Sequence, residues 1–233
     1  MTSQFSRHPL PRNLDGSFST VPRNSGRDGN SGGRASDPKL CLCARETATP
    51  RGEPMITVRE AKFPEDAEQI ARIDTSFTTE AIYTAHGDGE RIGLRLTPLE
   101  TPVTKRFPLD DLNQQERPWE FAMVAFADDR ICGFLAAGYR TWNRRLTIWH
   151  LYVDGPQRRR GIARRLLDQA QVYGSAKGAL NLWLETSSLN APGVRAYRRL
   201  GFELCGLDTT LYQGTPAEKE TALFFSSRLR KKV

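Results

Sequence analysis

The chain has 233 residues, 38% hydrophobic and 26% charged, with 34 Lys and Arg against 27 Asp and Glu for a formal charge of +7. That size suits one ordinary domain with an appendage, and the lack of any run of 18 apolar residues excludes a membrane-spanning helix. Cys41, Cys43, Cys132 and Cys205 are too few for a disulfide framework, and no downstream Cys/His pair completes a zinc site, so no metal and a reducing, cytoplasmic setting are expected.

Residues 1–54 hold six of the fourteen prolines, six glycines and seven serines but few apolar residues. Such a segment cannot bury enough apolar surface to offset its ordering entropy, so it is expected to be a disordered extension, or an artefact of a start upstream of Met55. Residues 55–233 then form the domain. The excess positive charge is shared between tail and domain, so nucleic acid is not a demanded partner.

From Met55 the pattern is regular. Ile56 to Ala61 alternates as a strand, and Pro64-Glu65-Asp66 opens a helix with Ile70 and Ile73 on one face. Residues 74–118, rich in Thr, Gly, Pro and charge, read as irregular structure around a substrate entrance, with a short strand near Ile92 to Leu96. Phe121 to Phe126 and Ile131 to Gly138 read as a hairpin turning at Asp128-Asp129-Arg130. Leu146 to Val153 is a further strand, followed by a helix from about Gly161 to Tyr173, a strand from Leu180 to Thr186 and a helix from Val194 to Leu200. Leu204 to Tyr212 and Thr221 to Ser226 close the domain as strands. This order predicts a mixed α/β fold, a central sheet covered by helices.

The turn Arg158-Arg159-Arg160-Gly161-Ile162-Ala163 lies between a strand and a helix. Glycine and a small residue let backbone approach a ligand closely, and the unpaired N–H groups of the first helical turn point at it, which makes an anion site suited to a pyrophosphate. Arginines there can add charge-assisted bonds, although a solvated basic helix start has the same sequence.

About 30 residues later, Asn190-Ala191-Pro192-Gly193 leads to Ala196-Tyr197-Arg198-Arg199-Leu200-Gly201-Phe202. The pairing of an Arg-x-x-Gly-x-Ala turn with a later Asn, Tyr and Gly-Phe resembles the acetyl-coenzyme A motifs of the GNAT superfamily of N-acetyltransferases. Within it, Ser76-Phe77-Thr78-Thr79, Trp142 to Thr147, Leu182-Trp183-Leu184-Glu185, Asn190-Ala191-Pro192, Leu204 to Asp208 and Leu211-Tyr212 resemble the streptothricin (nourseothricin) acetyltransferases. The resemblance covers nearly all of residues 55–226. It implies the GNAT acyl-CoA N-acyltransferase fold, in which two parallel strands of a mixed sheet, here Leu146 to Val153 and Leu180 to Thr186, splay around the pantetheine arm. Acetyl-CoA is then the cosubstrate. Val153 would meet the pantetheine or thioester through its backbone. Arg158, Arg159, Arg160, Gly161, Ile162, Ala163 and Arg164 would hold the pyrophosphate, and Asn190 the pantetheine side. Tyr197 would be the general acid.

An amine attacks a thioester only when unprotonated, and a lysine-type amine, with a reference pKa of about 10.4, is almost wholly charged at neutral pH. A base is therefore useful, and a backbone N–H at the splay suits the developing oxyanion. Where the streptothricin enzymes carry several carboxylates in the strand before the phosphate turn, this chain has Ile148-Trp149-His150-Leu151-Tyr152-Val153-Asp154. That departure weakens attraction for a polycation. Trp149 and Tyr152, with Trp142 before the strand, are the candidate substrate contacts, aromatic rings being able to hold a cation. His150 is one candidate base and Glu185 the other, while a packed core histidine and a strand-end carboxylate are the plainer readings of each. The expected acceptor is a small-molecule amine, a streptothricin-type antibiotic first, with another small-molecule or a protein amine as the alternative; no nucleic acid or membrane is expected, and the protein is expected to be a monomer or homodimer. A silent acyl-CoA sensor and a nucleic-acid-binding module are the competing function classes. No aromatic residues interleave the basic run to favour the latter.

Overall fold

The computed structural model describes residues 55–229, so the expectations for residues 1–54 fall outside it. Nine strands and three helices follow in the order β1 (Ile56–Glu60), α1 (Ala67–Ala71), β2 (Ser76–Gly87), β3 (Ile92–Arg106), β4 (Phe121–Ala127), β5 (Arg130–Arg140), β6 (Arg145–Val153), α2 (Ile162–Ala176), β7 (Asn181–Ser187), α3 (Ala191–Arg199), β8 (Glu203–Asp208) and β9 (Ala222–Arg228). Seven strands form one sheet in the order β1-β4-β5-β6-β7-β9-β8, and β2 pairs with β3 in a separate ribbon. β6 and β7 run parallel, joined through α2, and every other neighbouring pair is antiparallel. This is the expected mixed α/β sheet flanked by helices.

β5 is buried along almost its whole length because both of its faces are covered. On one side lies the stripe Ile162, Leu166, Leu167, Ala170 of α2, within a core that also takes in Leu146, Leu182, Val194 and Phe225. Gly133 lets α2 come close, since a Cβ there would sit 2.8 Å from Ile162. The opposite face packs Phe134 and Ala136 against Ile70, Ile73, Leu112 and Trp119. None of the described helices is long and apolar enough to cross a membrane.

Two segments differ from expectation. Residues 76–106 form a long two-stranded ribbon instead of irregular structure, with a register shift between Thr79 and Ala81. Much of its surface is solvated, so no apolar alternation marks it, and Pro98 and Pro102, residues that argue against a strand in a sequence, fall within the second strand. It docks through both apolar and polar contacts: Tyr83 is buried in the main core with Leu94 packed against it, and the Tyr83 N–H donates to the Ser188 carbonyl at 3.0 Å. Lys105 Nζ reaches both oxygens of Glu220 at 2.8 Å. The expected strand from Leu204 to Tyr212 stops at Asp208, whose Oδ1 accepts from the Thr210 and Leu211 N–H groups and turns the chain.

Candidate active site

β6 and β7 pair from Arg145↔Asn181 to Ile148↔Leu184 and no further. At the same level the pairing of β6 with β5 shifts, so that Ala137 faces Ile148, Ala136 faces His150, and Trp149 is the extra residue. A bulge bends the strand that carries it, and here β6 turns away from β7 and opens a wedge. In a strand, N–H and C=O of one residue point the same way. The Val153 carbonyl is held on the wedge side by Arg158, so its N–H, and by alternation that of Leu151, faces the wedge as well.

One arm of the wedge opens into a groove of about 410 Å³, within the range of cofactor-sized sites. Its floor is Leu151, Tyr152 and Val153, and its far wall is α3 with Asn190, Ala196 and Tyr197. At the mouth the chain takes left-handed conformations at Arg159 (φ 68°) and Gly161 (φ 77°) before α2 begins. A Cβ added to Gly161 would meet nothing within 4 Å, so the glycine answers to its φ and leaves backbone N–H groups bare to a ligand. Helix start, bare amides and groove dimensions fit the pyrophosphate and pantetheine of acetyl-CoA. Gly161, Ile162, Ala163 and Arg164 line this groove, and Arg159 lines it with no bonded partner among the described residues.

Arg158 and Arg160 are placed differently. The Arg158 guanidinium donates to the carbonyls of Val153 (3.0 Å), Asp74 (3.1 Å) and Ser76 (2.8 Å), which ties β6 to the start of β2 and makes its side chain groove wall. Arg160 bonds the Gln157 side chain and is absent from the groove lining. Asn190 caps α3: Oδ1 accepts from the Gly193 N–H at 2.9 Å, and Nδ2 donates to Thr186 Oγ1 at 3.0 Å. It shapes the groove from a fixed position.

Between the diverging strands lies a second, smaller cavity of about 40 Å³, bounded by Lys105, Phe107, Trp149, Tyr152, Glu185, Ser187, Tyr197 and Tyr212, among others. Phe107, Leu151, Tyr152 and Tyr197 belong to both cavities, so the two meet there. Burial raises the Glu185 carboxyl to about 7, against a hydrogen bond from Tyr212 and the charge of Lys105, both of which lower it. Burial likewise raises the Tyr197 phenol to about 12, with Glu185 adding to the effect and Thr186 opposing it. The Tyr152 phenol is pushed well above its ordinary value, chiefly by burial. Lys105 and Glu220 neutralise one another, leaving Glu185 as the carboxyl here without an ionic partner among the described residues.

His150 lies elsewhere. Its Nε2 donates to Asp111 Oδ2 at 2.8 Å, and its ring packs among Trp119, Phe134 and Tyr152 on the α1 face. Burial alone would raise the Asp111 carboxyl, but hydrogen bonds from His150 and Trp119 and the charge of His150 hold it low. His150 borders neither cavity, whereas Glu185 lines the inner one. Trp149 does line the inner cavity, with the Arg140 guanidinium 5.5 Å from its ring centroid, so an internal cation already sits over the ring. Trp142 is 83% exposed in the β5–β6 turn and borders neither cavity. Sequence reasoning missed Lys105, Phe107 and Tyr212. The first two lie in and just after a ribbon without apolar alternation, and the third was assigned to a strand.

A splayed parallel pair, an anion-binding turn at its mouth and a carboxyl facing a phenol within it make up an acetyl-CoA-dependent N-acetyltransferase. The acetyltransferase (GNAT) family profile matches residues 91–202. The streptothricin acetyltransferase of Streptomyces lavendulae is 42% identical over 171 residues, covering 70% of this chain and 90% of that protein. The Escherichia coli streptothricin acetyltransferase is 26% identical over 164 residues, covering 70% and 91%. Among solved structures, nourseothricin acetyltransferase superposes with a TM-score of 0.67 at 40% identity, covering 75% of this chain and 99% of that one. A Bacillus anthracis protein solved with acetyl coenzyme A shares the fold, with a TM-score of 0.64 at 23% identity over 76% and 99%. The chain belongs to the acetyltransferase (GNAT) family, and its activity is acetyl-CoA-dependent N-acetyl transfer.

Proposed function

We propose that the acceptor is a primary amine of a streptothricin-type antibiotic, acetylated in the cytoplasm by direct transfer. The observation that carries the chemistry is the meeting of Glu185 and Tyr197 where the small cavity joins the groove. Bound acetyl-CoA supplies an activated thioester. Glu185, as carboxylate, takes the proton of the incoming ammonium, for which a pKa near 7 is well matched. Backbone N–H groups of Leu151 and Val153 are aimed at the oxyanion that develops. Tyr197, protonated at neutral pH, gives its proton to the departing sulfur and regains one from the nitrogen of the tetrahedral adduct, while the proton on Glu185 leaves to solvent. No covalent enzyme intermediate is needed.

A cavity of about 40 Å³ admits little more than an amine and its first carbons, and its one unpaired carboxyl suits one cation. The antibiotic class rests on the two relatives at 40% identity or above, which align along nearly their whole length. Thiol release from acetyl-CoA with nourseothricin tests it. Turnover is expected with a raised KM, because the wall formed by Trp149 and Tyr152 offers a polycation less attraction than carboxylates would. No release with nourseothricin, alongside release with another primary amine, would overturn the substrate and leave the acetyltransferase intact.

A further inference from the structure

The loop between β8 and β9 reaches the inner cavity at Tyr212, and its Glu220 bonds two residues of the cavity wall, Lys105 and Ser187. It is internally braced. Asp208 holds the Thr210 and Leu211 amides, and Thr215 Oγ1 donates to the Tyr212 carbonyl at 2.6 Å while accepting from the Ala217 N–H at 3.1 Å. Tyr212 is buried against Ala217 and Ala222, with Leu211 and Phe224 around them. Its ring therefore has a fixed direction, and its hydroxyl donates to Glu185 Oε1.

We infer that Tyr212 is the positioning residue of the transfer reaction: its phenol holds Oε1 of Glu185 and so assigns the other oxygen, Oε2, to the acceptor amine. The inference rests on Glu185 being the base. A short carboxylate on a strand has rotamer freedom when nothing holds it, and a general base displaced by a fraction of an ångström loses its line to the proton. No other side chain among the described residues bonds Glu185, so this single donor sets both its orientation and part of its proton affinity. The groups facing the carboxyl are Tyr212 and Glu220 from the loop, Lys105 from β3, Tyr197 from α3 and Tyr152 from β6. Of these, Tyr212 and Lys105 favour its charged form and Glu220 opposes it, while burial opposes it most. Tyr212 itself stays protonated, because burial and the same carboxylate push its phenol far up. It is a donor throughout the working pH range and never a proton source.

The test is the titration of the Glu185 carboxyl in the full-length enzyme, followed by difference infrared spectroscopy and assigned by its loss in Glu185→Gln. Tyr212→Phe keeps the ring and removes the donor. The carboxyl titration is expected to move up by about one pH unit, the effect of losing one hydrogen bond to a charged group. The acid limb of kcat/KM should follow it, with about a fivefold fall in rate near pH 7 and recovery at higher pH. The KM for acetyl-CoA should not change. Replacing Tyr212 by 3,5-difluorotyrosine preserves shape and strengthens the donor, and should move the titration the other way, so the inference stays testable even if the phenylalanine variant folds poorly. A carboxyl titration that neither variant displaces would overturn the role of Tyr212. A rate unaffected by Glu185→Gln would instead remove Glu185 as base, a separate outcome.

Discussion

Tyr197 keeps its proton at neutral pH because burial and the neighbouring Glu185 carboxylate both oppose its ionisation. In the proposed reaction, that coupling orders the proton transfers. Once Glu185 has accepted the amine's proton its charge is gone, one of the two oppositions to Tyr197 disappears, and the phenol gives up its proton more readily. Tyr197→Phe should therefore lower kcat by about 10²-fold while calorimetry finds acetyl-CoA affinity unchanged, since the ring that borders the groove remains. Unaltered turnover would reduce Tyr197 to packing against Phe202 and Phe225. For Glu185, whose carboxyl sits near 7, kcat/KM should rise with pH through about 7 as the carboxylate forms, and Glu185→Gln should abolish that limb. The places of both residues on the inner cavity were legible in the sequence, because each lies in a regular element within a matched motif. His150 could not be placed that way, because strand alternation assumes an unbroken period of two, and the extra residue at Trp149 changes which face the later side chains take.

The strand-to-helix turn and the ribbon contribute to the site by opposite means. The turn works by exposing backbone. Gly161→Glu would place a side chain and a negative charge where phosphate oxygens belong, on a residue with φ of 77°, and acetyl-CoA binding measured by calorimetry should be lost. The ribbon works through buried charge. Lys105 and Glu220 are 5% and 6% exposed, so Glu220→Ala would strand an ammonium in the interior, and chemical denaturation should show a loss of about 3–5 kcal/mol. Lys105→Met combined with Glu220→Leu should recover most of it. The turn could be read in the sequence because Gly, Pro and Arg punctuate it. The ribbon could not, because it is held by backbone pairing between largely solvated strands, by isolated apolar anchors such as Tyr83, and by an ion pair linking positions 115 residues apart.

Within residues 55–229 lie the complete seven-stranded sheet, the ribbon and both cavities. A chain starting at Met55 should accordingly fold with an unchanged thermal midpoint and acetylate as the full chain does. A lower midpoint would mean that the first 54 residues contribute packing. The desolvation that suits Glu185 to proton transfer has a cost for the fold as a whole. Unfolded, that carboxyl titrates at 4.5; folded, at about 7, so between these values the native state binds the extra proton. Stability must then fall as pH rises through the window, by about 3 kcal/mol in total, and stay at the lower level above 7. Asp66, Asp74, Asp111 and Asp208 act in the other sense: their carboxyls are held below 3.8 when folded, so their contribution is present above that value and lost in stronger acid. The molecule should be most resistant to heat near pH 4–5, where Glu185 is uncharged and inert as a base. With Glu185 as base it should work fastest on the alkaline side of 7, where it is held together less firmly, and Glu185→Gln should flatten the decline between the two.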